Sequence, residues 1–289
     1  MWAISIKCLC KNNMKYIVYT FQFTPLVEVR QLDLFEPTLQ VRDEIMAHKL
    51  EYFEEALTSA KYRHYGRTYE NSVQMHHDNI MIMRLANRKS FVREKNFQVI
   101  KDEDEPSCGI IIDYRPGHQV IAIEEASRAF NNTDSVRNIL EKSLNDILCE
   151  HRLCISLKRQ NLASEFWDYV KQYRGRINEV RFTYHYPNLG RASEKMKELL
   201  GDTSKVVNST ESEIVFKGKS LELDEKNEDL QDYTNDSENS GIPISLKIQG
   251  LKKTIKTGKR PKSFELEELD FQGDPMAYSK LLDTLNHGL

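Results

Sequence analysis

The sequence predicts an α+β fold: a mixed β-sheet with helices packed on it, then an acidic linker and a C-terminal strand and helix. Three observations carry this. Several short runs alternate apolar and polar residues with the period of a strand, and one, Ile80-Met81-Ile82-Met83, is apolar on both faces, as a strand covered on two sides must be. Between these runs lie segments with apolar residues three and four apart, the stripe of an amphipathic helix. Over residues 90–186 the order is strand, strand, strand, helix, strand, helix, strand, which requires helices to lie against a sheet.

Taken in order, Tyr16 to Phe23 is rich in β-branched and aromatic residues and reads as a strand. Met46, Leu50, Phe53, Leu57 and Ala60 form one stripe of a helix ending near residue 60, with Pro37 suited to its first turn. Val73 to Leu85 and Phe91 to Ile100 read as two strands. Gly109 to Asp113 and His118 to Glu124 flank Tyr-Arg-Pro-Gly, a turn sequence, and form the clearest hairpin. Asn132-Thr133-Asp134 offers an N-cap for a helix whose buried stripe is Val136, Leu140, Leu144 and Ile147. Leu153, Ile155 and Leu157 alternate as a strand, and Leu162, Phe166, Val170 and Tyr173 mark a helix that stops near Gly175. Val180, Phe182, Tyr184 and Tyr186 alternate with polar residues as a half-buried strand. A short helix at Met196 to Leu200, strands at Ile214 to Phe216 and Ile244 to Ile248, and a terminal helix at Met276 to Leu285 complete the pattern. The organisation expected is a non-structural extension at 1–13, a mixed α/β domain at 14–217, the acidic linker at 218–241, whose residues 222–240 read as a linker or a solvated helix, and residues 242–289 packed on the main domain.

Composition narrows the class. The chain has 289 residues, 39% of them apolar and 29% charged, which suits an ordinary polar globular protein. No run of about eighteen apolar residues is present, so no membrane partner is expected. The opening MWAISIKCLC lacks a basic leader and a small-residue cleavage site, so a signal peptide is not indicated. Cys8, Cys10, Cys108, Cys149 and Cys154 make an odd set without the Cys-x-x-Cys spacing of a zinc site. They read as reduced thiols of a cytoplasmic protein. No metal or cofactor is implied.

Candidate chemistry is sparse. His76-His77-Asp78 resembles an acid/base or metal cluster, yet consecutive strand side chains point to opposite faces, so the two imidazoles cannot share an ion. Asp113 and Glu124 resemble the paired carboxylates of metal-dependent nucleases. If a four-residue turn pairs Asp113 with His118, Glu124 lies six residues further along its strand, about 20 Å away and far beyond a shared two-metal site. Phosphate-binding glycine loops, Gly-x-Ser-x-Gly, His-Glu-x-x-His and kinase elements do not occur. Trp167 lies beside the apolar stripe of its helix and reads as core packing.

Charge is the strongest functional signal. The net charge is −3, but it is unevenly spread. Glu222 to Glu238 holds eight acids and one lysine, whereas Ile244 to Phe264 holds seven Lys or Arg and no acid. Lys247, Lys252, Lys253, Lys256, Lys259, Arg260 and Lys262, punctuated by Gly250, Gly258 and Pro261, suit a strand followed by an extended loop or hairpin that lays its charges along a phosphate backbone. No aromatics interleave with them, so base stacking is not indicated. The competing reading is that the run pairs with the acidic blocks beside it. The functional expectation is a non-enzymatic protein that contacts nucleic acid non-specifically. The alternatives are a protein–protein subunit using a sheet edge or the terminal helix, alone or as a homo-oligomer, and a nuclease or nucleotide-acting enzyme whose site converges only in three dimensions.

The middle of the chain also carries a resemblance. PSCGIIIDYRPGHQVIAIEEAS, the helix DSVRNILEKSLNDIL, LCISLKR and the late LKIQGLKK follow one another in an order that resembles bacterial and prophage proteins of the phage-exclusion Rex A type. The likeness spans residues 70–260 and is one of layout, so it transfers no functional residue. It implies a prokaryotic defence or exclusion component acting on DNA or a partner protein.

Overall fold

The computed structural model describes residues 13–26, 38–185, 207, 209, 211–267 and 276–288. The expected extension, apart from its last residue, and the short helix at Met196 to Leu200 lie outside them. The first strand, β1 (Asn13–Pro25), is the centre of the architecture. Its residues 16–23 are all buried, which accounts for a run that is apolar or aromatic but for Thr20 and Gln22. Odd positions Ile17, Tyr19, Phe21 and Phe23 point into one core, and Tyr16 points into another on the opposite face.

The expected first helix is broken at His48 into α1 (Thr38–Ala47) and α2 (Lys49–Ser59). After two short strands, β2 (Arg63–His64) and β3 (Arg67–Thr68), the two strands expected between residues 73 and 100 resolve into four. These are β4 (Glu70–His77) with β5 (Ile80–Ala86), and β6 (Lys89–Lys95) with β7 (Gln98–Asp104). Each pair is a hairpin with a two-residue turn, Asp78-Asn79 and Asn96-Phe97, and all four turn residues have positive φ. That is the conformation of a tight hairpin turn with the right twist, and Asp and Asn tolerate it. Both turns fall inside apparently continuous strand patterns, which hid them.

The hairpin β8 (Ser107–Asp113) and β9 (Val120–Glu124) forms as expected, but with a longer turn: Asp113 pairs with Val120 rather than His118. Helix α3 (Thr133–Leu148) starts at Asn132, whose side chain accepts the Ser135 N–H at 2.8 Å. It leads into β10 (Leu153–Arg159). The principal sheet has the order β10-β1-β9-β8-β5-β4, and every ladder is antiparallel, so the expected mixture of strand directions gives way to antiparallel pairing within the α+β class. Its odd face is covered by α2 and α3 through Phe53, Ala56, Leu57, Leu140 and Leu144.

A second, smaller sheet follows. Helix α4 (Ser164–Gln172) precedes β11 (Ile177–His185) and β12 (Glu211–Lys217). The acidic stretch, for which a linker or a solvated helix was expected, contains the helix α5 (Glu228–Ser240), capped by Asn227 and ended by Gly241 at φ +67°. Leu230 and Tyr233 pack on the core of this sheet and Thr234 and Ser237 are buried, so a small-residue face lets a very acidic helix dock. The chain continues through β13 (Ser245–Ile248) and β14 (Ile255–Lys256), giving the order β12-β11-β13-β14. Phe166, Trp167, Val180, Phe182, Leu246 and Ile248 form the core beneath α4 and α5.

The final segment ties the two sheets together. Strand β15 (Ser263–Glu267) pairs with residues 13–17 of β1, in line with β10 on the same edge. Helix α6 (Ala277–Gly288) then covers the even face of the principal sheet, with Leu281 and Leu285 against Ile80, Ile82 and Ile111. Among the described residues no helix is long and apolar enough to cross a membrane.

Candidate nucleic-acid interface

The basic run does not form one loop. It begins in a strand of the smaller sheet, turns, and ends in a strap of residues 257–262 that leads into β15. The strap is held by its backbone. The Ile244 N–H donates to Thr257 Oγ1 at 2.9 Å, the Lys262 N–H donates to the Gln160 carbonyl at 2.9 Å, and the Val18 N–H donates to the Lys262 carbonyl at 3.0 Å. Asn161 and Pro261 form an isolated bridge. Of the extended loop or hairpin expected after the first strand, the structure has the hairpin β13–β14, and residues 257–262 follow it as a strap that is part of the scaffold.

Its anchor is Glu165, a buried carboxylate at the start of α4. One oxygen accepts three successive backbone N–H groups, from Gly258, Lys259 and Arg260. Converging amides of this kind make an anion-binding concavity, and here the protein fills it with its own side chain. A second carboxylate supports the same junction. Glu238, on acidic α5, accepts the Ala163 N–H at 2.8 Å through one oxygen and pairs with Lys262 at 2.8 Å through the other.

The seven sequence candidates consequently fall into three groups. Arg260 and Lys262 are neutralised, by Asp168 and Glu238 respectively. Lys247, on the outer face of the smaller sheet, pairs with Glu179 at 2.8 Å. Glu179 also meets Arg181 at 3.3 Å and Lys217 at 3.9 Å, and the Lys247 hydrogen bond, with Arg181 second, holds its carboxyl below the usual carboxylate range. Lys252, Lys253, Lys256 and Lys259 are exposed and make no ion pair among the described residues. The two readings of the basic run thus divide by residue: part of it is self-paired and part is open.

The structure adds residues that the sequence reading missed. Tyr169 and Tyr173 stand one turn apart on α4 and its C-terminal extension. Lys259 Nζ lies 5.8 Å from the Tyr169 ring centroid, and the Arg176 guanidinium lies 5.9 Å from that of Tyr173. Arg176 also donates to the Gln249 carbonyl at 3.0 Å, and the Gln249 N–H donates to the Arg176 carbonyl at 2.7 Å, which joins the end of α4 to the turn bearing Lys252 and Lys253. Arg174 is exposed beside them and makes no ion pair among the described residues. A cation over a ring face is attracted by the ring quadrupole and held in place, so the two tyrosines act as platforms for cations. The signal for this lay in the tyrosines at 169 and 173 and the arginines at 174 and 176. It was obscured because some 80 residues separate them from the basic run.

The other candidates are dispersed. His76 Nε2 lies 2.7 Å from the Tyr114 hydroxyl, whereas His77 lies 3.2 Å from Asp78, each on its own face as strand geometry requires. Asp113 is fully buried and held by a bidentate Arg115, with His118 at 3.2 Å. Glu124, at the other end of the hairpin, accepts the Gly109 N–H at 2.6 Å. The Glu124 charge and, above all, burial push the Cys108 thiol up to about 12. Trp167 is buried in the second core, as its position beside the stripe suggested. Among the described residues no group of three or more His, Cys, Asp or Glu is arranged to hold a metal ion. Compared with models of known protein families and with curated proteins, the chain matches none.

Proposed function

We infer that the protein is a non-enzymatic, sequence-independent nucleic-acid contact protein. Its contact surface is the side of α4 and the adjoining turn, carrying Lys259, Arg176, Arg174, Lys252 and Lys253, while Lys256 lies on the edge strand facing the same side of the sheet as Lys247. The observation that supports this most is the set of cations left without carboxylate partners among the described residues, in a segment where the neighbouring cations are all neutralised. Two of them are held over tyrosine rings, which fixes where the charge is presented. A phosphate backbone is the partner chemistry such an array suits, since each neutralised phosphate releases condensed counterion and no base-edge geometry is needed. The lysines and arginines offer no bidentate constellation for reading a base, so discrimination between sequences is not expected. A role in phage exclusion, implied by the Rex A-type layout, is the biological setting we propose for this activity.

The test is fluorescence anisotropy with labelled DNA and RNA of unrelated sequences, at about 50 and 200 mM salt. Binding that is similar for every sequence and falls steeply over this range is the expected result. No binding at the lower salt would overturn the proposal.

A further inference from the structure

The β6–β7 hairpin projects from the principal sheet, tied at its base by Lys89, which donates to the Arg128 carbonyl at 2.6 Å, and by the Arg128–Asp104 pair at 3.2 Å. It continues directly from β5 and β8 through Asn87, whose N–H donates to the Pro106 carbonyl at 2.9 Å, but among the described residues its strands pair only with each other. Apolar side chains are exposed on both faces: Phe91 on one, and Val92 and Val99, 67% and 75% exposed, on the other. At the tip Phe97 is 98% exposed in a left-handed conformation, φ +61°, that a bulky residue adopts only at a cost. A lone two-stranded hairpin is marginal in water, and a third strand is what ordinarily stabilises one.

The same molecule carries an unfilled edge of matching length. Strand β4, eight residues long, is the outer strand of the principal sheet and is exposed along its length, whereas β6 has seven residues. Exposed edges are normally guarded by lysine or proline, and β4 contains neither; a bulge between Val73 and Met75 is its one irregularity. Position matters as much as length. Glu70 pairs with Ala86, so β4 begins level with the base of the arm and runs away from it. Beside that base, between β6 and the chain entering β4, lies an open cleft of about 580 Å³ lined by Arg67, Tyr69, Arg88 and Lys89. A two-fold rotation about an axis at this point sets each β6 beside the β4 of the other copy. The single charge on β4, Glu70, then faces Lys89 at the arm's base, and the tip Phe97 reaches the far end of the opposing β4.

We propose that two copies of this chain pair by exchanging these arms, each β6 adding a strand to the other's β4. Such an isologous contact uses two identical interfaces and closes on itself. It sets side chains of β4 beside Phe91 and Val92 and supplies main-chain partners to an otherwise open edge.

The experiment uses the full chain without nucleic acid, so its outcome is independent of the contact surface on α4. Light scattering with size exclusion measures the mass, and hydrogen exchange reports on amides 70–77. The variant Val92→Lys/Val99→Lys changes only exposed side chains, and circular dichroism checks its fold. The expected result is a dimer of the unaltered chain, a folded monomer for the variant, and protection, only in the dimer, of the alternate β4 amides that face away from β5. A monomer at about 0.1 mM, a dimer that survives the variant, or a dimer with those β4 amides unprotected would each overturn the proposal.

Discussion

The Glu165 carboxylate accepts the Gly258 N–H at 2.9 Å, and the same oxygen takes the N–H groups of Lys259 and Arg260 at 3.0 and 3.2 Å. Gly258 has φ +110°, a backbone state open essentially to glycine alone, and this lets three amides converge on one point. The basic segment therefore has two roles carried by different atoms. Its backbone is a structural strap around a buried anion, while some of its side chains are turned to solvent.

Removal of that anion is expected to cost stability. Glu165→Ala leaves three amides without their acceptor in a buried place, a loss of about 3 kcal/mol, since unsatisfied buried donors carry the full desolvation penalty. Glu165→Gln keeps an acceptor oxygen and is expected to lose less. Urea denaturation monitored by tryptophan fluorescence measures both, and equal stability of Glu165→Ala and the unaltered chain would contradict the strap's dependence on this residue.

Gly241 tests the junction between the acidic helix and the principal sheet. Its φ is +67°, and a Cβ there would lie 2.7 Å from the Arg159 carbonyl oxygen and 3.0 Å from the Lys158 Cβ. Gly241→Ala combines left-handed strain with a backbone clash, so a destabilisation of about 2 kcal/mol or more is expected. Gly175→Ala serves as the comparison, because a Cβ at Gly175 meets nothing within 4 Å and only the φ penalty applies. A smaller loss at position 241 than at 175 in denaturant titrations would run against this packing.

Glu179 gives an expectation in pH. Its carboxyl is held low mainly by the Lys247 hydrogen bond and then by Arg181. A group whose folded value is depressed contributes stability that is fully present above its unfolded value, about 4.3, and that is lost as pH falls through the folded value. In Lys247→Ala the Glu179 titration, followed by carboxyl carbon NMR, is expected to move up towards pH 4.3. An unmoved midpoint would show that Lys247 does not control it.

How much of this was readable in advance depended on whether the signal was local. The strands around Ile17, Ile112 and Ile121, the Asn132 cap and the stripe of α3 follow from spacing alone. The Asp78-Asn79 and Asn96-Phe97 turns were not found because they carry no glycine or proline and interrupt runs that look continuous. The acidic stretch left a linker and a solvated helix both open because its large apolar residues are few, with Leu230 and Tyr233 the ones that α5 sets against the core, although Asn227 and Gly241 were ordinary cap signals. The basic run was visible by composition, but which of its members were free was not. That depends on Asp168, Glu179 and Glu238, placed beside Arg260, Lys247 and Lys262 by tertiary contacts across as many as 92 residues.

The most direct measurement separates open from paired cations. Arg176→Ala/Lys252→Ala/Lys253→Ala/Lys259→Ala and, separately, Arg260→Ala/Lys262→Ala are compared with the unaltered chain by nucleic-acid anisotropy over a salt series, with folding checked by thermal melting. The quadruple variant is expected to stay folded, losing only the Arg176–Gln249 side-chain hydrogen bond and two cation–ring contacts, to bind weakly, and to lose up to about 3.6 from the slope of log affinity against log salt on duplex DNA, at about 0.9 per phosphate contact. The strap variant is expected to melt earlier yet retain the slope. An unchanged affinity and slope in the quadruple variant would contradict the assignment of nucleic-acid contact to this surface.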